Sequence, residues 1–326
     1  MRIEENGSAQ KKSAPLARDE GWATTSFPPG PAPAARPLTM VVAVTLDMAS
    51  AVALQRADVV ARALGADLHI LHVLPARPWL QELFSPRPAN DDFEDPETSD
   101  ATQRWCESML AHALPSVRIH LRRGELSQCI RDLADELNAA IIVVGAPRSH
   151  RGKRYADRFS THLVRQTRRS VLVARPPTSS NAIVAATDFS DQRFPALESA
   201  RRLGAELHAP VTFIHTVVPM KPFQSSAPGA SAIALDRLLG LALERRLDDM
   251  ESLGAGPDRA VSAVVVAHDD VTQAILDVAR ARDADLVVVG AHLEWRISRL
   301  SFGGTADSVV ASARRSVLMV PLQAEA

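Results

Sequence analysis

The chain contains the stretch Leu286-Val287-Val288-Val289-Gly290, a short and wholly apolar run that ends in glycine. Short continuous runs of β-branched residues are typical of strands that helices cover on both faces, as in parallel sheets. The stretch Ile141-Ile142-Val143-Val144-Gly145 has the same form. Both runs are therefore predicted to be buried strands of parallel sheets.

These two runs belong to an internal duplication. Three further pairs of similar stretches follow the same order at spacings that drift by only a few residues: Val41–Asp47 with Ile183–Asp188, Ala63–His69 with Arg202–His208, and Arg168–Val173 with Arg314–Met319. Ordered matches at a near-constant spacing are the signature of a repeated structural unit. The chain is therefore predicted to hold two copies of one fold.

Within each half, strand-like and helix-like segments alternate. In the second half, helical spacing of apolar residues is clearest at Val271, Ile275 and Val278. Strands are predicted there at 182–187, 210–217, 260–267, 285–289 and 317–320, and helices near 194–203, 233–253, 271–282 and 303–313. Gly65 and Gly204 are predicted to be helix C-caps. Strands separated by helices imply parallel pairing with right-handed crossovers, so the fold class is α/β with two repeated doubly wound parallel sheets.

The domain organisation follows from the repeat and from composition. Residues 1–38 mix charge with Pro, Ala and Ser and are predicted to be a disordered tail. The first domain is predicted to span 39–175, a linker 176–181, and the second domain 182–321. Segments 85–100 and 219–231, rich in Pro with Asp or Ser, are predicted to be surface loops at equivalent points of the two halves.

Composition narrows the classes of function. The chain is 46% hydrophobic and 23% charged, with a formal net charge of -1, which gives no general attraction to nucleic acid or to acidic membranes. The two cysteines, Cys106 and Cys129, form no metal-ligand pattern and suggest a reducing compartment. No apolar run approaches the roughly 20 residues of a membrane span, and the N-terminus lacks the pattern of a signal peptide. A cytoplasmic protein is expected, with no nucleic-acid or membrane partner and no metal-ligand cluster.

A ligand site is predicted in the second half at the carboxyl ends of its strands. With the strand order 3-2-1-4-5, Asp188 after the first strand and Gly290 after the fourth converge on one crevice, where doubly wound sheets bind ligands. The stretch Gly303-Gly304-Thr305 opens the last helix, and free N–H groups at a helix N-terminus favour a phosphate. His292 lies two residues after Gly290 and is a further candidate contact. The alternatives are an N-cap role for Asp188 and a simple turn at Gly303.

Both halves resemble the universal stress protein family, on Ala-Thr-Asp-Phe-Ser at 186–190, on the strand ending at Gly290, and on Ser-Val-Leu-Met-Val at 316–320. The resemblance implies adenine nucleotide alpha hydrolase-like domains of five strands each. It also implies an internal pseudo-dimer in which the last strands of the two halves pair antiparallel.

Members of this family that bind ATP are similar in a loop of form G-x2-G-x9-G-[ST]. Gly290 and Gly303 match its first and third glycines, whereas Leu293 replaces the second and Gly304, followed by Thr305, replaces Ser or Thr. By this resemblance the nucleotide contacts expected in the second half are Asp188, Val217, Gly290, His292, Gly303, Gly304 and Thr305. Asp269 stands where the family usually has glycine, and it would oppose phosphate binding unless a cation intervenes.

The first half departs further from the ATP-binding pattern. It keeps Asp47, Gly124 and Gly145, but Arg148 stands at the second glycine and Asp157-Arg158 at the helix start. A weaker second site at Asp47, Gly124, Gly145 and Arg148 is the corresponding expectation. The basic loop 148–158 is either an anion-binding or docking patch for an acidic partner, or a solvated charged loop.

These observations favour a binding and signalling protein of the stress response over an enzyme. The second half is expected to bind ATP with Mg²⁺, and no catalytic residue is identified. The alternative is an interaction protein without nucleotide that acts through its pseudo-dimer surface, with a homodimer and an unidentified protein as further partners. Slow ATP hydrolysis would lack a general base or metal site beyond Asp188 and Asp269.

Overall fold

The computed structural model describes residues 37–75, 96–110, 117–146, 150–191, 193–218, 261–293 and 304–322, with 241, 244–245, 248–249 and 252. Most of the predicted tail, the loop 219–231 and most of the predicted helix 233–253 lie outside the described residues. So do Arg148 and Gly303, two of the predicted site residues.

The two halves repeat one pattern of strands and helices. The first half contains β1 (Thr39–Val44), α1 (Met48–Leu64), β2 (Asp67–Leu74), α2 (Pro96–Met109), β3 (Arg118–Arg123), α3 (Leu126–Glu136), β4 (Ile141–Gly145), α4 (His150–Thr167) and β5 (Ser170–Ala174). The second contains β6 (Ile183–Ala186), α5 (Pro195–Glu206), β7 (Val211–Val217), β8 (Val261–Ala267), α6 (Val271–Ala281), β9 (Leu286–His292), α7 (Thr305–Ser312) and β10 (Ser316–Leu322). Apart from shifts at element ends, the predicted strands of the second half are confirmed. Two predicted loops are wrong in part, because residues 96–100 of the segment 85–100 begin α2 and residues 150–158 of the basic loop 148–158 lie in α4.

All ten strands form one sheet in the order β3-β2-β1-β4-β5-β10-β9-β6-β7-β8. Within each half the pairing is parallel and the order is 3-2-1-4-5, as predicted. The halves join where β5 and β10 pair antiparallel, with Leu172 opposite Leu318. This junction relates the two halves by a pseudo-two-fold axis, and it pairs two strands that would otherwise be bare sheet edges.

Each face of the sheet carries one hydrophobic core that runs through both halves. Helices α3, α4, α6 and α7 cover one face, and α1, α2 and α5 cover the other. Burial on both faces explains why the strands are continuous apolar runs rather than alternating ones. Cys106 and Cys129 belong to these cores as free thiols, and burial raises the pKa of Cys106 to about 11.

The two glycines predicted to end helices behave differently. Gly65 is the C-cap of α1, with a left-handed φ of 59°. The prediction for Gly204 is wrong, because Gly204 lies inside α5 and the helix ends at Leu207. A Cβ at Gly204 would lie 2.3 Å from Cγ2 of Val211, so this glycine lets α5 pack closely against β7.

Among the helices within the described ranges, none has both the length and the apolar character needed to cross a membrane.

A polar network on the α1 side of the sheet ties the halves together. The Arg56 guanidinium in α1 forms a two-pronged ion pair with the Asp285 carboxylate just before β9. Asp285 also accepts the Thr178 N–H at 2.8 Å, and Arg56 Nε donates to the Arg175 carbonyl at 3.3 Å. The Arg56 and Asp285 side chains are only 16% and 11% exposed, so this pair is shielded from solvent.

We expect Arg56→Met to lower the free energy of unfolding by about 3 kcal/mol, because it leaves the Asp285 carboxylate nearly buried without its cation. Urea titration followed by circular dichroism measures the change. Arg201→Met is the matched control, since Arg201 pairs with Glu198 at 46% and 59% exposure and such a pair contributes roughly 0–1 kcal/mol. Equal losses in the two variants would contradict this account of the network.

Candidate functional site

The candidate site lies at the carboxyl ends of β6 and β9, adjacent strands in the sheet. Asp188 follows β6 in a segment, 187–194, that separates this strand from α5. It is not the N-cap of α5, because the cap position is Phe194 and carries no side-chain hydrogen bond. The N-cap alternative for Asp188 is therefore wrong, and its carboxylate is available at the mouth of the crevice.

The Asp188 carboxylate is held by its own loop. Its Oδ1 accepts the Ser190 N–H at 3.0 Å and the Ser190 hydroxyl at 2.5 Å. Farther along, Asp191 accepts the Arg193 N–H at 2.9 Å, and the Phe189 ring packs edge-on against His215. Aspartate commonly fixes a turn by accepting the N–H two residues on. The loop thus keeps the second Asp188 oxygen, Oδ2, turned toward β9.

His292 meets Asp188 from the neighbouring strand. Its Nε2 lies 3.3 Å from Asp188 Oδ2 and 3.5 Å from the Ser190 hydroxyl. His292 reaches this position because β9 runs two residues past Gly290, where Pro321 and Leu322 of β10 pair with Ala291 and His292. The sheet therefore fixes the position of His292.

The electrostatics of the pair favour an ionised carboxylate. The hydrogen bond from His292, followed by those from Ser190, holds the pKa of Asp188 well below its ordinary value, although burial opposes the shift. Both side chains remain more than half exposed, at 57% for His292 and 63% for Asp188. A polar ligand can therefore reach both groups, with the carboxylate as an acceptor for hydroxyl or amino groups.

Gly290 and Val217 lie near the same edge of the sheet. A Cβ on Gly290 would come within 2.7 Å of the Leu322 side chain, so the end of β9 lies under that leucine. Val217 ends β7, the strand next to β6, and is partly exposed. The structure thus places Asp188, Val217, Gly290 and His292 at the carboxyl ends of three neighbouring strands.

At the start of α7, one of the backbone N–H groups predicted to be free is already bonded. Gly304 is its N-cap and Thr305 its first residue, both exposed. The Gly304 N–H is not free, because it donates to Asp307 Oδ2 at 3.1 Å. A phosphate that binds the Gly304 N–H would have to replace that carboxylate.

In the first half, the aspartate equivalent to Asp188 has a different role. Asp47 is the N-cap of α1, with Oδ1 accepting the Ser50 N–H at 2.8 Å. The helix begins at Met48, soon after β1 ends at Val44, and a Cβ on Gly145 would lie 2.5 Å from the Ala49 carbonyl oxygen. Gly124, with a φ of 150°, occupies the turn before α3. Asp47 therefore has a structural role that Asp188 lacks.

Two other features bear on the sequence predictions. His72 and His215, near the ends of the equivalent strands β2 and β7, each bond through Nδ1 to a backbone carbonyl, at Val44 and Thr187 respectively. Asp269 is exposed before α6, whereas its neighbour Asp270 caps that helix. Within the described ranges, no group of three or more His, Cys, Asp or Glu residues is arranged to hold a metal ion.

The sequence predictions missed two residues of the site, Ser190 and Asp307. The Asp-x-Ser spacing at 188–190 could have indicated the turn that holds Asp188. An acidic residue three positions after Gly304 could have indicated a carboxylate that folds back on the helix start. Both patterns are local in the sequence. Neither indicates that Asp188 contacts β9 or that Asp307 contacts α4.

Comparison with known proteins matches both halves of the chain to one family. The profile of the universal stress protein family matches residues 38–175 and again residues 180–321. No curated protein sequence matches the chain.

Solved structures share the fold over most of the chain. A functionally unknown protein from Pseudomonas aeruginosa PAO1 is 17% identical with a TM-score of 0.60, covering 88% of this chain and 93% of that one. A universal stress protein from Archaeoglobus fulgidus DSM 4304 is 14% identical with a TM-score of 0.57, covering 87% of this chain and 96% of that one. At these identities the similarity establishes the fold alone.

Proposed function

The chain belongs to the universal stress protein family as a tandem of two family units, and from this membership we propose that it is a stress-response binding and signalling protein. In this proposal the C-terminal half binds an adenine nucleotide, ATP with Mg²⁺, and the protein acts by binding rather than by catalysis. The N-terminal half, in which Asp47 caps a helix, serves as a scaffold.

The observation that carries the proposal is the pair formed by Asp188 and His292 at 3.3 Å, exposed where β6 and β9 end. These strands lie on either side of the point where the chain order of the sheet reverses, which is where doubly wound sheets take ligands. An ionised Asp188 suits the hydroxyl groups of a ribose, and His292 offers a donor to a phosphate oxygen. Val217 and Gly290 supply the neighbouring strand ends, and Gly304 and Thr305 the helix start, with Gly303 proposed as a further contact.

The contrast between the halves supports a single site. Both halves keep the aspartate after their first strand, but only Asp188 is free of a capping role. The helix that Asp47 caps packs its first turn against Gly145. Thus the weaker second site at Asp47, Gly124, Gly145 and Arg148 is not part of the proposal for ATP.

Calorimetric titration of nucleotide-free protein with ATP and Mg²⁺ tests the proposal. We expect binding by the wild type, and at least tenfold weaker binding by Asp188→Ala, because a hydrogen bond to a charged group contributes about 1.5–3 kcal/mol. His208→Ala is the matched control, since His208 is an exposed histidine after α5, where it bonds to the Ala205 carbonyl. Absence of both binding heat and a thermal shift in the wild type would refute nucleotide binding.

The second candidate is an interaction protein without nucleotide, and the joined sheet favours it. Pairing of β5 with β10 and the shared cores make the two halves one body, with a large outer surface for another protein or a second copy of the chain. The same titration separates the candidates, because this one requires no response to ATP.

A further inference from the structure

A carboxylate of the C-terminal half is held by the N-terminal half. Asp307, in the first turn of α7, accepts a hydrogen bond through Oδ1 from the Thr161 hydroxyl in α4. Arg165 of α4 places Nη2 3.8 Å from the other oxygen, Oδ2. That same Oδ2 accepts the Gly304 N–H. One carboxylate therefore connects the start of α7 to a helix of the other half.

Thr161 and Asp307 are equivalent positions of the repeat. Each lies seven residues before the repeated Arg-Arg-Ser stretch that begins at Arg168 or Arg314. Equivalent residues that contact each other lie at the pseudo-two-fold axis. At this axis the N-terminal half provides a hydroxyl donor and the C-terminal half provides a carboxylate acceptor. The two sides of the contact are therefore chemically different.

The Asp307 carboxylate occupies a position for which a bound phosphate would compete. An anion at the N-terminus of α7 would compete with Asp307 for the Gly304 N–H. The negative charges of the anion and of Asp307 would also repel each other. Thr161 is buried and the Asp307 side chain is only 21% exposed, so solvent screens this interaction weakly. The hydroxyl of Thr161 and the guanidinium of Arg165 draw the carboxylate toward α4.

We infer that Asp307 is a positioning residue that sets how strongly phosphate-bearing nucleotides bind, and that Thr161 controls it from the N-terminal half. The inference rests on the proposed nucleotide site. A phosphate that takes the Gly304 N–H displaces Asp307 Oδ2, and the carboxylate then stays with Thr161 and Arg165. Residues of the N-terminal half thereby influence nucleotide binding by the C-terminal half.

Titration with ATP and, separately, with adenosine tests this inference. We expect Asp307→Asn to bind ATP on the order of tenfold more tightly, because a charge that repels phosphate is removed. Its affinity for adenosine, which has no phosphate, should stay within about twofold. Thr161→Val should weaken ATP binding about fivefold, because the Asp307 carboxylate, once a phosphate has displaced it from Gly304, then lacks the hydroxyl donor that holds it at α4. Thr161→Ser should restore the wild-type affinity.

A control and a double variant separate positioning from folding. Thr167→Val removes a buried hydroxyl of the same helix that bonds only to the Leu163 carbonyl and the Arg169 N–H, and it should leave the ATP affinity unchanged. In the Asp307→Asn background, Thr161→Val should have no further effect on ATP affinity. A persistent effect there, or equal ATP affinity of Asp307→Asn and wild type, would overturn the inference alone. Failure of every variant to bind ATP and adenosine would overturn the proposed function and the inference with it.

Discussion

Replacement of Leu172 by alanine is expected to lower the free energy of unfolding of the whole chain by about 3 kcal/mol, in a single transition. Leu172 is 4% exposed in β5 and lies opposite Leu318 of β10 at the junction of the two halves. Both leucines belong to the core that α1, α2 and α5 cover, and this core runs through both halves. A cavity at the junction therefore weakens the cohesion of both halves together.

Urea titration followed by circular dichroism and by tryptophan fluorescence measures this loss. The two signals should report one midpoint, lowered without a change in the dependence on urea. Leu318→Ala should cost a similar amount, since it creates the same kind of cavity from the other side of the axis. Val59→Ala is the control, because Val59 is 44% exposed and its replacement should cost under about 0.5 kcal/mol. Separate transitions for the two halves would contradict the shared core.

Gly145→Ala is expected to cost about 3 kcal/mol, at the upper end for overpacking. The added Cβ would lie 2.5 Å from the carbonyl oxygen of Ala49, a backbone atom in the first turn of α1. Relief of this clash requires α1 to shift, and with it the cap that Asp47 forms. Thermal and urea denaturation give the size of the loss.

The equivalent glycine of the second half provides the matched control. The atoms nearest to a Cβ on Gly290 would belong to the Leu322 side chain, the first at 2.7 Å, and a side chain yields more easily than the backbone of a helix. Gly290→Ala should therefore cost about 1 kcal/mol. Similar losses at both glycines would contradict this account, because they would show that α1 makes room for a Cβ as easily as the Leu322 side chain does.

Much of the fold could be predicted from the sequence because the information is local and repeated. Apolar runs such as Leu286–Gly290 need only their own composition to indicate buried parallel strands. The antiparallel pairing of β5 with β10 followed from a family resemblance and from the need to cover strand edges. The role of Gly204 could not be predicted, because a glycine is needed there for the close packing of α5 against Val211 of β7, which no local pattern indicates.

The site was harder to predict than the fold. Asp47 and Asp188 occupy equivalent sequence positions, yet one caps a helix directly and the other stands in a longer loop. The difference depends on where the following helix begins, and Pro195 at the start of α5 is the residue that marks it. The partner of Asp307 lies in the other half of the chain, so no local pattern around α7 could indicate Thr161.

The contact between Thr161 and Asp307 also bears on what covalent fusion of the two units permits. In an assembly of two identical chains, any residue placed on the axis faces a copy of itself, so an aspartate there would face an aspartate. Identical subunits are thus denied a pairing of hydroxyl with carboxylate at that point. Within one polypeptide, each side of the axis can mutate independently of the other. Duplication followed by divergence therefore gave this chain an asymmetric centre that a symmetric ancestor could not have encoded.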